Sequence, residues 1–423
     1  MIPACAGAEK STRNAADSKG GAFRMMEKID SYVVPGFLAN GIHVGIKENG
    51  QKDLALLFSA VPAVASGLFT KNTFKAAPVL IDEEKIRSGI AQAILVNSGN
   101  ANAATGSQGY EDAIFITKLA AKKLRIKEDR VLIASTGIIG HRLPVDKIES
   151  GMQRLVRGLH TKGIPDAEEA IMTTDKFPKM ACRKGMISSK EITLCGIAKG
   201  AGMIEPHMAT MLAFIMTDAA IEPSLLGRLF KQAVDASFNA ITVDGCMSTN
   251  DTAIIMANGL AGNSPMNKQT RNLSIFRDML FNVTSDLAKA MVRDGEGATK
   301  IMNIMVEEAK SKVDAQKIAY AIANSNLVKT AFFGGDPNWG RILSAAGSTG
   351  ISLPVHSVRL YFEDVLVFSD GKGIEGHKDR LFEIMAQKTI AIRIKIGMGR
   401  QAFQVHASDL THDYVAINAH YHT

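Results

Sequence analysis

A chain of 423 residues, 46% hydrophobic and 22% charged, has material for two or three domains and the make-up of an ordinary globular protein. One Trp and 6% aromatics argue against a base-stacking platform or a carbohydrate cleft. The net charge of +7 is spread without basic runs, which favours small anionic substrates and requires neither nucleic acid nor a membrane. No apolar run is long enough to cross a bilayer. Cys5, Cys182, Cys195 and Cys246 form no C-x-x-C pair and read as reduced, mostly buried thiols of a reducing compartment.

Residues 1–24 are rich in Ala, Gly, Ser and Lys and lack the apolar core of a secretory signal. They read as a disordered leader; a vector-derived leader, a weak organelle-targeting peptide and a start near Met25 or Met26 are the alternatives. Folded sequence is expected from about Tyr32. Asp53–Phe58, Ala93–Asn97 and Val131–Ser135 are short apolar runs bounded by turns, the pattern of buried strands. Tyr110–Leu124 has helical periodicity, and Pro165-Asp-Ala-Glu-Glu opens a helix with acids in its first turn. Strands follow at Glu191–Ile197 and Thr210–Ile221, then a helix from Pro223 to Val234, then strands at Ala240–Val243 and Thr252–Met256. A long helix ends near Met291. Strands near 300–307 and 357–367, a helix near 313–324 and a strand pair at 389–396 and 401–407 complete an interleaved α/β outline. Composition alone places no domain boundary.

The stretch Lys199-Gly-Ala-Gly-Met-Ile-Glu-Pro-His-Met-Ala-Thr210 joins a glycine turn to a threonine at the head of an apolar strand. Pro206 and the strand after it exclude a dinucleotide-binding reading, which needs a third glycine and a helix. Thr210 is a strand residue or a nucleophile. An internal threonine hydroxyl is almost never ionised, but a cut between Ala209 and Thr210 frees an α-amine titrating near 7.7–8.0, fit to serve as its base. Ser135-Thr136-Gly137 ends a buried strand with a hydroxyl and a glycine N–H, either a local turn or donors for a developing oxyanion. Asp294-Gly-Glu-Gly-Ala-Thr-Lys300 is a helix cap or a positioned functional loop. Asn97-Ser-Gly-Asn-Ala-Asn102 is a turn first and a polar lining second. Gly334–Arg341 lacks the Walker Lys and Ser/Thr. His412, His420 and His422 match no zinc spacing, so no metal is expected; His207 reads as a turn residue.

Taken in order, these blocks resemble the ornithine acetyltransferase (glutamate N-acetyltransferase) family of arginine biosynthesis. The resemblance runs from about Val33 to Thr423. It includes Gly36-Phe37, Lys52-Asp-Leu-Ala55, Asn97–Asn102, Ser135–Gly137, Met172-Thr-Thr-Asp175, Lys199–Ile204, Met208-Ala-Thr-Met-Leu212, Asp294–Lys300, Gly335-Asp-Pro-Asn-Trp-Gly340 and Asp413-Tyr-Val-Ala-Ile-Asn418. It departs at His207, where Asn is common, and at His420 and His422, where an acid and an arginine are usual.

The resemblance implies an α/β fold similar to, but topologically distinct from, the N-terminal-nucleophile hydrolases. It implies self-cleavage between Ala209 and Thr210, giving an α chain (25–209) and a β chain (210–423) in an α2β2 heterotetramer. Thr210 would be the nucleophile, with Thr136 and Gly137 as the oxyanion hole. Thr173, Lys199, Thr210, Glu296, Asn418 and Thr423 would contact the substrate. The implied reaction moves an acetyl group from N-acetylornithine to glutamate in ping-pong fashion, without a cofactor. Whether acetyl-CoA is a second donor is open. Charge complementarity assigns Lys199 to the α-carboxylate of both substrates and Glu296 to the ornithine side-chain ammonium. The expected location is the cytoplasm, or the mitochondrial matrix of a eukaryotic cell. The competing readings are a self-processing N-terminal-threonine aminopeptidase or amidase, and a scaffold without catalysis.

Overall fold

A computed structural model of the protein describes residues 26–187, 189–205 and 211–420. The expected leader 1–24 with Cys5, the junction residues His207, Ala209 and Thr210, and the terminal His422 and Thr423 lie outside the described residues. Strands and helices interleave throughout, giving the α/β architecture that the sequence predicts.

The larger sheet has nine strands among the described residues. Its order is Glu27–Ile29, Met180–Ile187, Lys190–Lys199, Leu212–Thr217, Thr252–Ala257, Leu54–Phe69, Ile90–Asn100 and Val131–Ile138, with Phe37–Ile42 also paired to Leu54–Phe69. Pairing is mixed: Leu212–Thr217 runs antiparallel to Lys190–Lys199 and parallel to Thr252–Ala257. Successive side chains on a strand point to opposite faces, so each central strand feeds two cores. Leu212, Phe214 and Met216 enter a core closed by helix Ile164–Ile171. Met211, Ala213 and Ile215 enter another under helices Pro223–Ala236 and Leu273–Arg293. Burial on both faces is what makes such strands continuous apolar runs in the sequence.

A second sheet of seven strands runs Lys372–Gly373, Val365–Ser369, Arg359–Phe362, Thr389–Lys395, Ile301–Ala309, Gln401–Ser408 and Ile241–Thr242. Helices Lys312–Ala323, Asn326–Phe333 and Trp339–Gly347 contribute to its core. Lys329 clasps two neighbouring strand ends of this sheet: its buried ammonium donates to the carbonyls of Val243 at 2.6 Å and Ser408 at 2.5 Å.

Several expected elements differ. The strand from Leu54 continues to Phe69, because a register shift between Phe58 and Ala63 passes Pro62 without a ladder hydrogen bond. The strand expected over Thr210–Ile221 is Leu212–Thr217; beyond it the Asp218 carboxylate accepts the Thr193 N–H at 2.8 Å and the chain turns away. The single strand near 357–367 is a hairpin, turning at Glu363 with φ +51°. Met180–Ile187 escaped notice because Arg183 and Lys184 interrupt its apolar pattern.

That strand corrects the cysteine reading. Cys182 and Cys195 are directly opposed in its antiparallel pairing with Lys190–Lys199, with Cα atoms 4.2 Å apart, and they form a disulfide. The hairpin register, invisible in the cysteine spacing, brings them together. Cys246 is free and exposed rather than buried. Among the described residues no helix is long and apolar enough to cross a membrane.

Candidate active site

Strand ends and loops of the larger sheet converge on one pocket. It is lined by Thr136, Gly137, Thr173, Lys199, Glu296 and Asn418, together with Gly202, Met203 and the Ser248–Asn250 loop. Every described residue assigned to the site from the sequence is therefore in one place, although they span 136 to 418. Thr210 and Thr423 lie outside the described residues.

Thr136 and Gly137 sit inside the end of strand Val131–Ile138 rather than after it. Gly137 faces Gly99 of the neighbouring parallel strand and has φ +131°. A Cβ there would lie 2.3 Å from the Gly99 carbonyl carbon and 2.5 Å from the Asn100 nitrogen, so only glycine fits. Side-chain bonds hold this strand end. Ser135 Oγ donates to Asn97 Oδ1 at 2.6 Å, and Asn250 Nδ2 donates to the carbonyls of Ala101 at 2.6 Å and Ser135 at 2.8 Å.

Lys199 ends its strand almost fully buried, at 2% exposure. Its ammonium donates to Thr173 Oγ1 at 2.7 Å and to Thr136 Oγ1 at 3.2 Å. An ammonium only donates, so both hydroxyls accept from it and keep their own protons for a third partner. Burial lowers the Lys199 pKa, while the Asp175 carboxylate 4.0 Å away opposes the drop. Burial alone would raise Asp175; Lys199 and Lys179 outweigh it and hold that carboxyl at about 2.

Glu296 reaches the pocket from the loop after helix Leu273–Arg293, its amide donating to the Ala201 carbonyl at 2.9 Å. Asn418 Nδ2 donates to Glu296 Oε2 at 2.8 Å from helix His412–His420. A Cβ on Gly202 would fall 2.5 Å from the Glu296 carboxylate, so the glycine turn is shaped to admit that side chain. Asp244 steadies the turn by accepting the N–H groups of Met203 at 2.6 Å and Ile204 at 2.9 Å.

Other motifs resolve as structure. In Asn97–Asn102 the amides brace the surrounding backbone: Asn97 Nδ2 donates to the Asn100 carbonyl, Asn100 Nδ2 to the His141 and Arg142 carbonyls, and Asn102 Nδ2 to that of Gly109; only Ala101 of this stretch lines the pocket. In Gly334–Arg341, Asn338 caps helix Trp339–Gly347 and Trp339 packs against Phe368. His412 meets the Phe333 ring edge-on and His420 bonds the Ala416 carbonyl. Among the described residues no cluster of three metal-ligating side chains occurs.

Sequence reasoning missed Ser248–Asn250, Asp251 and the buried ions beneath the pocket. The polar run Ser248-Thr-Asn-Asp251 directly before an apolar strand was the available signal. Asp251 is fully buried, and its Oδ1 accepts the N–H of Met211, the residue after Thr210, at 3.0 Å.

The ArgJ family profile matches residues 38–423. The chain belongs to the ArgJ family. It is 47% identical over 391 residues to the arginine biosynthesis bifunctional protein ArgJ of Geobacter sulfurreducens, covering 92% of this chain and all of that protein. Identity to ArgJ of Caldanaerobacter subterraneus is 45% over 392 residues, covering 92% of this chain and 97% of that one. Two crystal structures are also similar. ArgJ from Bacillus halodurans shares 38% identity over 44% of this chain and 98% of that chain, with a TM-score of 0.41. Ornithine acetyltransferase from Mycobacterium tuberculosis, in complex with ornithine, shares 36% identity over 44% of this chain and 100% of that chain, with a TM-score of 0.41. As an ArgJ family member the chain is an acyltransferase, which retires the scaffold reading.

Proposed function

We propose that the chain cleaves itself between Ala209 and Thr210 and then carries an acetyl group from N-acetylornithine to glutamate on the Thr210 hydroxyl. The observation that supports this best is the pocket's place astride the junction. Lys199, Gly202 and Met203 precede the cut, while Ser248–Asn250, Glu296 and Asn418 follow it. Met211 is held on the far side by the Asp251 carboxylate and by the Thr252 amide, which donates to its carbonyl at 3.1 Å. The residue that follows the proposed nucleophile is thereby fixed directly before the buried strand Leu212–Thr217.

The Thr210 hydroxyl attacks the acetyl carbonyl and its own α-amine takes the proton. Thr136 donates its free hydroxyl proton, and Gly137 its N–H, to the tetrahedral oxyanion. As the C–N bond breaks, the α-ammonium returns that proton to the leaving ornithine amine, and an acetyl ester remains on Thr210. The glutamate amine attacks the ester, N-acetylglutamate departs, and the hydroxyl is restored. No cofactor takes part, and the kinetics are ping-pong. Lys199 holds the α-carboxylate shared by both substrates, with Thr173 beside it. Glu296, steadied by Asn418, takes the ornithine side-chain ammonium, and Thr423 completes the contacts. The two product chains remain together, as α2β2. Acetyl-CoA with glutamate, in the absence of acetylornithine, tests the second donor; release of free acetate in preference to N-acetylglutamate would mark a hydrolase.

A denaturing gel with N-terminal sequencing of active protein is expected to show residues 1–209 and 210–423 as separate chains, the second beginning Thr-Met-Leu-Ala. A single intact band from active enzyme overturns the proposal. Glu296→Gln is expected to raise the KM for acetylornithine by about 10- to 100-fold, the worth of one hydrogen bond to a charged group, and to alter the KM for glutamate far less. An unchanged acetylornithine KM sinks the Glu296 assignment.

A further inference from the structure

Beneath the pocket lie five buried ionisable groups: Lys199, Asp175, Lys179, Asp294 and Glu168. Lys179 Nζ is 2.6 Å from Asp175 Oδ1 and 2.5 Å from Asp294 Oδ2, with none of the three side chains exposed. Asp175 reaches further than any other member. Its Oδ1 also accepts the Gly200 N–H at 2.7 Å, its Oδ2 accepts the Thr173 N–H at 2.9 Å, and Lys199 stands 4.0 Å from Oδ2. One carboxylate thus touches both backbone segments that carry Lys199 and Thr173.

The charges form a closed account. Burial pushes the Glu168 carboxyl well up; one of its oxygens accepts the backbone N–H of Lys179 at 2.8 Å, and the other has no hydrogen-bond partner among the described residues. Burial of this kind favours the acid form, because an unpaired carboxylate in a dry interior is far costlier than its acid. Two lysines then face two aspartates. Without Asp175, two buried ammonium groups would share one carboxylate, and one of them must lose its proton. Lys179 keeps a direct 2.5 Å bond to Asp294, so Lys199 is the one that yields. The other charged groups acting at Lys199 are Glu296, Lys47 and Asp251, none of which is within salt-bridge distance of it among the described residues.

We propose that Asp175 is the positioning residue of this active site: it keeps the buried Lys199 cationic and sets it against Thr173 and Thr136, so that the site can grip a carboxylate. Asp175 touches no substrate. It acts through Lys199, and the inference rests on the proposed role of Lys199 as the carboxylate anchor.

The readout is the Kd of glutamate measured calorimetrically between about pH 6 and pH 8.5, a range that leaves the ligand's own charges nearly constant. Binding is used in place of kcat because the proposed mechanism makes the rate depend on a terminal amine, a group that ordinarily titrates in the same range. In Asp175→Asn, glutamate is expected to bind progressively more weakly as pH rises, by about tenfold or more across the range, and to regain most of its affinity at the acid end. A loss that is the same at every pH indicates a merely structural role and overturns the proposal, as does no loss. Glu168→Gln, isosteric with the neutral acid, provides a variant that folds even if the first does not. Its Kd is expected to follow the wild-type pH dependence; a new weakening at high pH would show that Glu168 carries the charge and would overturn the assignment to Asp175. Lys199→Met separates the premise: if it leaves the Kd unchanged, the anchor role fails by itself, whatever Asp175 does.

Discussion

Thr210→Ala is expected to yield one uncut 423-residue chain and to lower kcat by roughly 10⁴-fold or more, the scale of losing a covalent nucleophile. Both losses come from the same two atoms. The hydroxyl oxygen is the group that attacks, and the α-nitrogen exists as a base only after the preceding bond is broken. Thr210→Ser separates the steps: the primary hydroxyl retains the chemistry, so cleavage and transfer are both expected to persist at reduced rates. Mass spectrometry of the intact protein reports the cut, and acetylornithine-dependent formation of N-acetylglutamate reports the transfer. Full activity in Thr210→Ala would remove the nucleophile from the scheme.

Thr136→Val carries the second large effect. The Thr136 hydroxyl already accepts from Lys199 at 3.2 Å, which turns its proton toward the pocket and makes it a better donor. Valine keeps the β-branched outline of a residue that is 4% exposed and removes its hydroxyl. The expected loss is therefore electrostatic: kcat falls about 10²- to 10³-fold, with KM changed much less, because the oxyanion is present only in the transition state. A fall confined to KM would reassign Thr136 to ground-state binding. Gly137 offers no comparable substitution, since any Cβ collides with the backbone of Gly99 and Asn100.

The sequence disclosed the parts of the fold whose pattern is unambiguous. Apolar runs such as Ala93–Asn97 mark strands covered on both faces, and Pro at the start of Pro223–Ala236 marks a helix opening. Thr136, Gly137, Thr173, Lys199, Glu296 and Asn418 were singled out through the ordered motifs, and the structure gathers them around one pocket. The ionic layer beneath was not legible. Glu168 stands in an eight-residue helix beside Asp166 and Glu169, where acids ordinarily face water; Asp166 does pair with Lys52 near the surface, yet Glu168 is fully buried. Lys179 and Asp294 meet across 115 residues of sequence, and nothing in either segment names the other. The disulfide failed for a related reason: it depends on the register of a strand whose charged residues concealed it.

The strand order of the larger sheet bears on what the proposed cleavage between Ala209 and Thr210 would leave behind. Leu212–Thr217 and Thr252–Ala257 come from the segment after that junction, yet they lie between Lys190–Lys199 and Leu54–Phe69 from the segment before it. The later segment is thus a wedge in the middle of the earlier one, held by a hydrogen-bonded ladder on each side. Dilution cannot part such a pair, because leaving means unzipping both ladders and opening the cores on either face. A first segment emerging alone from the ribosome would carry two raw sheet edges, each a template for unwanted pairing. The sheet closes only when the second segment is in place, so the proposed cleavage is expected in a molecule already folded. A break at that junction would therefore cost the sheet no ladder, since the strands on either side of it are already paired.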